Sequence, residues 1–115
     1  MVEYKDKEYH CPLEMTIDII GGKWKVLLLW HLSDGDHRYN ELQRLFPNIA
    51  PKMLRQQLKA MEEKSLVIRT VYAQVPPRVE YSLTDFGKSL VPILYKMNEW
   101  GQELINNTND KTIAE

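Results

Sequence analysis

Apolar and polar residues along this chain follow the patterns of several short helices and one pair of strands. Pro12 can open a first helix over residues 13–20, which Gly21-Gly22 would end, while residues 1–10 precede it as a charged arm. Residues 24–32 have only two polar positions, so we expect a second helix that is buried on nearly all sides at the centre of the core.

Two further helices are predicted in the middle of the chain, after a short extended piece at residues 37–39. Asn40 is a good N-cap for a helix to about Leu45, and Pro51 starts a longer helix that ends at Ser65. The longer helix has two distinct faces, because its apolar residues repeat at helical spacing. Its apolar face carries Leu54, Leu58 and Met61, and its polar face carries Lys52, Arg55, Gln56, Lys59 and Glu63.

β-Branched and aromatic residues then predict two strands, at residues 67–72 and 79–83. Pro76 and Pro77 lie between them and offer no N–H to a ladder, so this segment should form a protruding hairpin tip. A last helical stretch begins after Thr84, and Pro92 should kink or split it. Its apolar positions keep a three-four spacing at Leu90, Ile93, Leu94, Met97, Trp100, Leu104 and Ile105.

This order of elements is that of a winged helix-turn-helix, a mainly α fold with a small β-hairpin (α+β). We expect residues 40–45 and 51–64 to be the helix-turn-helix pair, with the second as the recognition helix. Arginine and lysine can bond guanine in a major groove, and glutamine can bond adenine. An ordinary solvated helix face is the alternative interpretation. The predicted DNA contacts are Lys52, Arg55, Gln56 and Lys59, with Arg38 and with Arg78 at the base of the hairpin.

Length and charge fit one small domain that binds DNA. The chain has 115 residues, and we expect a single domain over 1–115 with its core at about 11–105 and a polar tail at 106–115. The formal net charge is −1, but residues 37–81 hold eight Lys or Arg against four Asp or Glu, a net of +4. A basic middle between acidic ends is typical of a phosphate-facing surface, although chance clustering of solvated charges gives the same count.

Several other functions lack support in the residues. No apolar run approaches the roughly 18–20 residues that cross a bilayer, and the charged N-terminus lacks a signal-peptide core, so we expect a cytoplasmic protein without membrane contact. Three histidines and one cysteine lack the spacing of a zinc site, and no catalytic arrangement is present. We therefore expect no enzyme activity, metal or cofactor, whereas an apolar cavity at a dimer interface is a place for a small-molecule effector.

Four segments carry a more specific pattern. They are Cys11-Pro12, Ile20-Gly21-Gly22-Lys23-Trp24, Arg38-Tyr39-Asn40-Glu41-Leu42 and Val75-Pro76-Pro77-x-Val79-Glu80-Tyr81. With these segments the chain resembles the HxlR-type winged helix transcriptional regulators of bacteria and archaea. The resemblance implies a homodimer whose two recognition helices read a near-palindromic operator in double-stranded DNA.

The apolar surface of the last helix independently favours a homodimer, because the other helices already fill a core of this size. A C-terminal helix folded back on its own domain is the alternative. The resemblance implies that the N- and C-terminal helices form the interface together. Two residues depart from the family pattern: Ala50 replaces the Ser or Thr that commonly caps the recognition helix, and Ser65 stands where Gly is frequent. The residues expected at the interface are Leu13, Ile17, Leu94, Met97, Trp100 and Leu104.

Cys11 is a candidate redox sensor, because several regulators of the resembled type sense oxidants or electrophiles through a cysteine in this segment. The residues around it give an independent argument. Cys11 precedes Pro12 at a helix start, where unpaired N–H groups favour a thiolate, and Lys7 and His10 can add positive charge. The alternative is a small buried hydrophobic residue at the dimer seam.

A function of a different class is also open. A winged helix can serve as a protein-interaction module, with its basic face on an acidic partner and no specific reading of DNA. Salt dependence separates the two functions, because a protein that contacts several phosphates loses affinity for DNA steeply as salt rises.

Overall fold

A computed structural model describes residues 1–109, in which eleven elements of secondary structure follow one another. In these residues no helix is both long enough and apolar enough to span a membrane. In chain order the elements are β1 (Val2–Tyr4), β2 (Lys7–Tyr9), α1 (Pro12–Ile20), α2 (Lys23–Leu32), β3 (His37–Arg38), α3 (Tyr39–Leu45), α4 (Pro51–Glu63), β4 (Val67–Tyr72), β5 (Arg78–Leu83), α5 (Asp85–Lys88) and α6 (Val91–Asn109).

The two predicted strands form the antiparallel hairpin β4–β5, with Val67 opposite Leu83 and Tyr72 opposite Arg78. The short strand β3 lies on the other edge of β5, so the sheet has the order β3-β5-β4. The helix pair α3–α4 precedes this hairpin directly in the chain. The predicted winged helix-turn-helix is therefore confirmed.

The core lies where α2 and α4 meet the sheet, and the faces of α4 match the prediction. Leu54, Leu58 and Met61 have no exposed surface. Helix α2 is less enclosed than expected, because Trp24 and Leu27 are only half-buried at the margin of the core. Its place at the centre of the core is confirmed, because Leu28 and Leu29 are fully buried, but the burial is complete on only part of its surface.

Helix α4 ends in a turn that explains the backbone at Ser65. The N–H of Leu66 donates to the carbonyl of Met61, and the N–H of Ser65 donates to that of Glu62, both at 2.9 Å. These two bonds form a Schellman motif, whose residue after the helix adopts the left-handed conformation. Ser65 has φ 61°, which is the region that favours glycine.

The N-cap of helix α3 lies two residues earlier than predicted. Its N-cap is Arg38 and not Asn40, which lies inside the helix. The carboxylate of Glu41 accepts a hydrogen bond of 2.7 Å from the backbone N–H of Arg38, so this donor is satisfied from within the first turn.

The last helical stretch is split, as the position of Pro92 predicts. Thr84 caps the short helix α5, because its hydroxyl accepts from the N–H of Gly87 at 2.9 Å. Pro92 lies in the first turn of α6, where a missing N–H costs no helical bond. Helix α6 includes residues 106–109 of the predicted polar tail, and the remaining 110–115 fall outside the described residues.

The predicted charged arm folds into the hairpin β1–β2. Lys5 and Asp6 form its turn with φ of 50° and 63°, the combination that a two-residue hairpin turn of type I′ requires. The hydroxyl of Tyr9 donates to the carboxylate of Asp18 on α1 at 2.6 Å, and Lys7 reaches the same oxygen at 3.2 Å. The hairpin is thereby bound to the first helix.

Candidate nucleic-acid interface

The turn between α3 and α4 is held by side chains of α3. The amide of Gln43 donates to the carbonyl of Ile49 at 2.9 Å, which satisfies a backbone group in the turn. The hydroxyl of Tyr39 donates to the carbonyl of Pro51, in the first turn of α4, at 3.3 Å. These bonds fix the angle at which α4 leaves the turn, although Ala50 supplies no side-chain cap.

The four DNA contacts predicted on α4 form one exposed stripe, on the opposite side from the buried leucines of this helix. Arg55 is held at one edge of the stripe, since its guanidinium donates to the hydroxyl of Tyr39 at 3.4 Å. The free ends of these side chains face away from the core and are available to a ligand. The stripe consists of Lys52, Arg55, Gln56 and Lys59.

The predicted wing residue Arg78 is engaged by its neighbours. Its guanidinium lies 4.2 Å from the ring centroid of Tyr72, and its Nε lies 2.9 Å from a carboxylate oxygen of Glu80. Arg38 is exposed, and it lines a cleft of about 320 Å³ together with Arg78. The structure thus brings the two predicted arginines together at the base of the wing, where Glu80 offsets part of their charge.

Two residues beside this surface were not among the predicted contacts. Tyr39 positions Arg55, and Arg69 on β4 lies across a cleft from α4. Arg69 is exposed although alternation along β4 places it on the same face as the buried Val67, and the pairing of β4 with β5 brings it opposite Tyr81. The charge count of residues 37–81 includes Arg69 without giving its position.

The surroundings of Cys11 differ from those expected. Cys11 is exposed and is the N-cap residue of α1, and its thiol makes no capping hydrogen bond. Lys7 pairs with Asp18, and His10 lies 3.0 Å from a carboxylate oxygen of Glu14. The two basic side chains expected to add charge near the thiol are therefore each occupied by an acidic residue of α1.

The expected interface residues lie on α1 and α6, and one of them differs from the rest. Leu94 is 2% exposed and packs in the core of its own chain, so it offers no surface to a second one. The other five are exposed, led by Trp100 at 69% and Leu13 at 66%. The exposed set comprises Leu13, Ile17, Met97, Trp100 and Leu104.

No three His, Cys, Asp or Glu side chains come together as metal ligands within residues 1–109. What the molecule presents instead is a helix-turn-helix pair with a cationic second helix, followed by a β wing. This arrangement defines a winged helix of the class that binds DNA.

Comparison with known proteins gives the family. A family model described as HxlR-like helix-turn-helix matches residues 19–109, and the chain belongs to this family. It is 48% identical over 103 residues to YdeP of Bacillus subtilis (strain 168), covering 89% of this chain and 80% of YdeP. YybR of the same organism is 52% identical over 99 residues, covering 86% of this chain and 78% of YybR. Both relatives are described as uncharacterized HTH-type transcriptional regulators.

Two solved structures of similar fold are each described as the reduced form of a regulator. The redox regulator HypR in its reduced form matches with a TM-score of 0.80 at 48% identity, covering 87% of this chain and 99% of HypR. The reduced form of the regulator YodB from B. subtilis matches with a TM-score of 0.71 at 32% identity, covering 83% of this chain and 94% of YodB.

The family model and the relatives together show that the present chain is a transcriptional regulator of the helix-turn-helix type.

Proposed function

We propose that this regulator is a homodimer that reads a near-palindromic operator in double-stranded DNA through α4. The exposed stripe on α4 carries the proposal, because it combines cations for phosphate with groups that bond base edges. A helix of this kind enters a major groove with its N-terminal half. Lys52, Arg55 and Gln56 all lie in that half of α4.

The wing adds a second contact in this proposal. Arg38 and Arg78 flank one cleft at the base of the hairpin, next to the start of α3. Contact of this pair with a phosphate or an adjacent minor groove fixes the protein on the duplex without reading sequence. Glu80 neutralises part of the charge of Arg78, so we expect Arg38 to attract a phosphate more strongly than Arg78 does.

The apolar surface on α1 and α6 supports the dimer in this proposal. Trp100, Met97 and Leu13 are exposed in the single chain, and large exposed apolar side chains are typical of an interface. A two-fold axis through this surface presents two copies of α4, which is what a near-palindromic site requires.

Binding of the purified protein to the DNA upstream of its own gene tests the proposal. The affinity should exceed that for random duplex of equal length by about 10³-fold or more, and it should fall steeply between roughly 50 and 200 mM salt. A protein-interaction module would give equal, weak binding to both duplexes, and that result would reject sequence-specific reading.

The proposed effector is an oxidant or electrophile that acts at Cys11. Two observations support it: the thiol is exposed at the start of α1, and the similar structures include a redox regulator and a diamide-treated form of YodB. Oxidation would change α1, which carries part of the proposed dimer surface, and so alter the spacing of the two recognition helices. Operator binding before and after diamide treatment, in the protein and in Cys11→Ser, tests this step.

A further inference from the structure

A cleft of about 630 Å³ lies between α4 and the wing sheet, on the flank of the exposed stripe of α4. Its size falls in the range of small-molecule sites, which is about 300–1,000 Å³. The cleft is formed within one chain, so it differs from a cavity at the dimer interface.

The floor of the cleft is apolar and aromatic. Tyr81 is buried, and Tyr39 and Val79 are half-buried, and all three line the cleft. Burial raises the pKa of Tyr81, so its phenol is neutral at physiological pH and offers a ring and a hydroxyl but no charge. A flat aromatic group can stack on such rings in the offset or edge-to-face arrangement.

The rim of the cleft is cationic. Arg55 and Lys59 lie one helical turn apart on α4, and Arg69 faces them from β4. Among residues 1–109, none of these three cations has a carboxylate oxygen within 4.0 Å, so their charges are not neutralised by a close ion pair. Guanidinium groups bind carboxylates with paired hydrogen bonds.

Two carboxylates in the lining of the cleft restrict the charge of a ligand. Glu62 and Glu63 also line the cleft, which leaves one positive charge in excess over the three cations. A ligand with one negative charge neutralises this excess, whereas a ligand with two would leave the cleft with a net negative charge.

We propose that this cleft binds an aromatic monocarboxylate and that the bound acid competes with DNA. The ring rests on Tyr39 and Tyr81, and the carboxylate is held by Arg69 from the sheet and by Arg55 from α4. Because Arg55 then bonds the ligand, it is withdrawn from the DNA-reading stripe, so the competition rests on the proposed function while the binding does not.

Calorimetric titration of the purified protein with 2-naphthoate tests the site, and the neutral 2-naphthamide is the matched ligand control. We expect a dissociation constant of about 1 mM or below for the acid, a range suited to a ligand of so few atoms. The amide should bind about tenfold more weakly or worse. Equal binding of acid and amide, or no binding of the acid, overturns the proposal.

The variant Arg69→Gln locates the site, and Arg44→Gln is its control on the exposed part of α3, outside the cleft. Arg69→Gln should weaken 2-naphthoate binding about tenfold while Arg44→Gln leaves it unchanged. Equal effects of the two substitutions would overturn the assignment. If Arg69→Gln fails to fold by circular dichroism, the comparison of acid and amide on the unmodified protein still decides.

Operator binding tests the competition separately. At ten times its dissociation constant, 2-naphthoate should raise the dissociation constant for the operator about 11-fold, and by reciprocity the operator should weaken naphthoate binding. Naphthoate that binds without changing operator affinity overturns the competition. A protein that binds no operator but retains naphthoate binding would refute the proposed function and leave the ligand site standing.

Discussion

The ammonium group of Lys64, at the end of α4, donates to the backbone carbonyl of Asp18 at 2.6 Å and lies 3.4 Å from that of Ile19. Both carbonyls belong to the last turn of α1, where backbone acceptors have no partner inside the helix. Helix α1 has no basic residue in this turn, so α4 supplies the cation that its C-terminus favours. The helix that Cys11 precedes is thereby joined to the proposed recognition helix.

Replacing Lys64 should destabilise the protein, because its hydrogen bonds to the carbonyls of α1 are lost. We expect Lys64→Met to lower the free energy of unfolding by about 1 kcal/mol, the scale of a hydrogen bond to a charged group that is partly exposed. Urea unfolding followed by circular dichroism measures it. Lys59→Met on the same helix is the control, because Lys59 is exposed, and equal losses in both variants would contradict the role given to Lys64.

The main helices were predictable because the spacing of apolar residues that indicates them is a local property of the sequence. Leu54, Leu58 and Met61 repeat at the helical period, and all three are buried. The same period could not separate Leu94 from Met97, since both lie on apolar positions of α6. Which of them meets the chain's own core depends on how α6 packs on α2, and that contact is remote in sequence.

The N-terminal hairpin was missed for a different reason. Its turn residues Lys5 and Asp6 both have positive φ, yet neither is the Gly or Asn that usually marks such a turn. Its strands have three residues each, too short for a periodic pattern. What orders them is the bond from Tyr9 to Asp18, a tertiary contact.

Substitutions on the exposed stripe of α4 should separate base reading from phosphate contact. Arg55→Ala and Gln56→Ala should each reduce operator affinity by about 1–3 kcal/mol and relax sequence preference, because each loses bonds to a base edge. Lys59→Ala should weaken all duplexes alike and reduce the salt slope by about one. Gel-shift titration at fixed salt measures these effects.

Lys96→Ala serves as the control for that series, because Lys96 is exposed on α6, away from the stripe. It should leave operator affinity unchanged. Unaltered binding by Arg55→Ala would show that α4 does not read the operator through this face.

Polar replacement on α6 should dissociate the proposed dimer. Met97→Glu and Trp100→Glu should shift the protein to monomer and weaken operator binding about tenfold or more, because the two half-sites are then read separately. Leu94→Glu should instead unfold the chain, since this side chain is buried in the core. Sedimentation velocity measures the oligomeric state.

The control for dissociation is Ile68→Glu, an exposed apolar residue on β4. This variant should keep the oligomeric state of the unmodified protein. If the unmodified protein itself sediments as a monomer at micromolar concentration, the two-fold arrangement and the near-palindromic operator are both excluded.

The contact between Tyr9 and Asp18 should appear in the pH dependence of each group. The hydrogen bond to the Asp18 carboxylate raises the pKa of Tyr9 to about 12, and the same bond, followed by that from Lys7, lowers the pKa of Asp18. The raised pKa of Tyr9 stabilises the fold fully below about pH 10, and this contribution is lost as pH rises through about 12. The contribution of Asp18 is present above about pH 4 and is lost as pH falls.

Absorbance of tyrosinate at high pH measures the first of these shifts. The difference between the unmodified protein and Tyr9→Phe should show one phenol that ionises near pH 12, and Asp18→Asn should return it towards 10. A phenol that titrates near 10 in the unmodified protein would show that the hairpin is not bound to α1 through this pair.

Oxidation at Cys11 has few possible products, because the chain has a single cysteine. With no second cysteine in the chain, a peroxide can yield a sulfenic acid, and either a peroxide or diamide can yield a mixed disulfide with a small thiol or a Cys11 to Cys11 bridge between subunits. Each product alters the N-terminus of α1, and Lys64 joins the opposite end of this helix to α4, so operator affinity should change by about tenfold. Cys11→Ser should be insensitive. Mass spectrometry under non-reducing conditions identifies the product, and an equal response of both proteins, or of neither, would show that Cys11 is no switch.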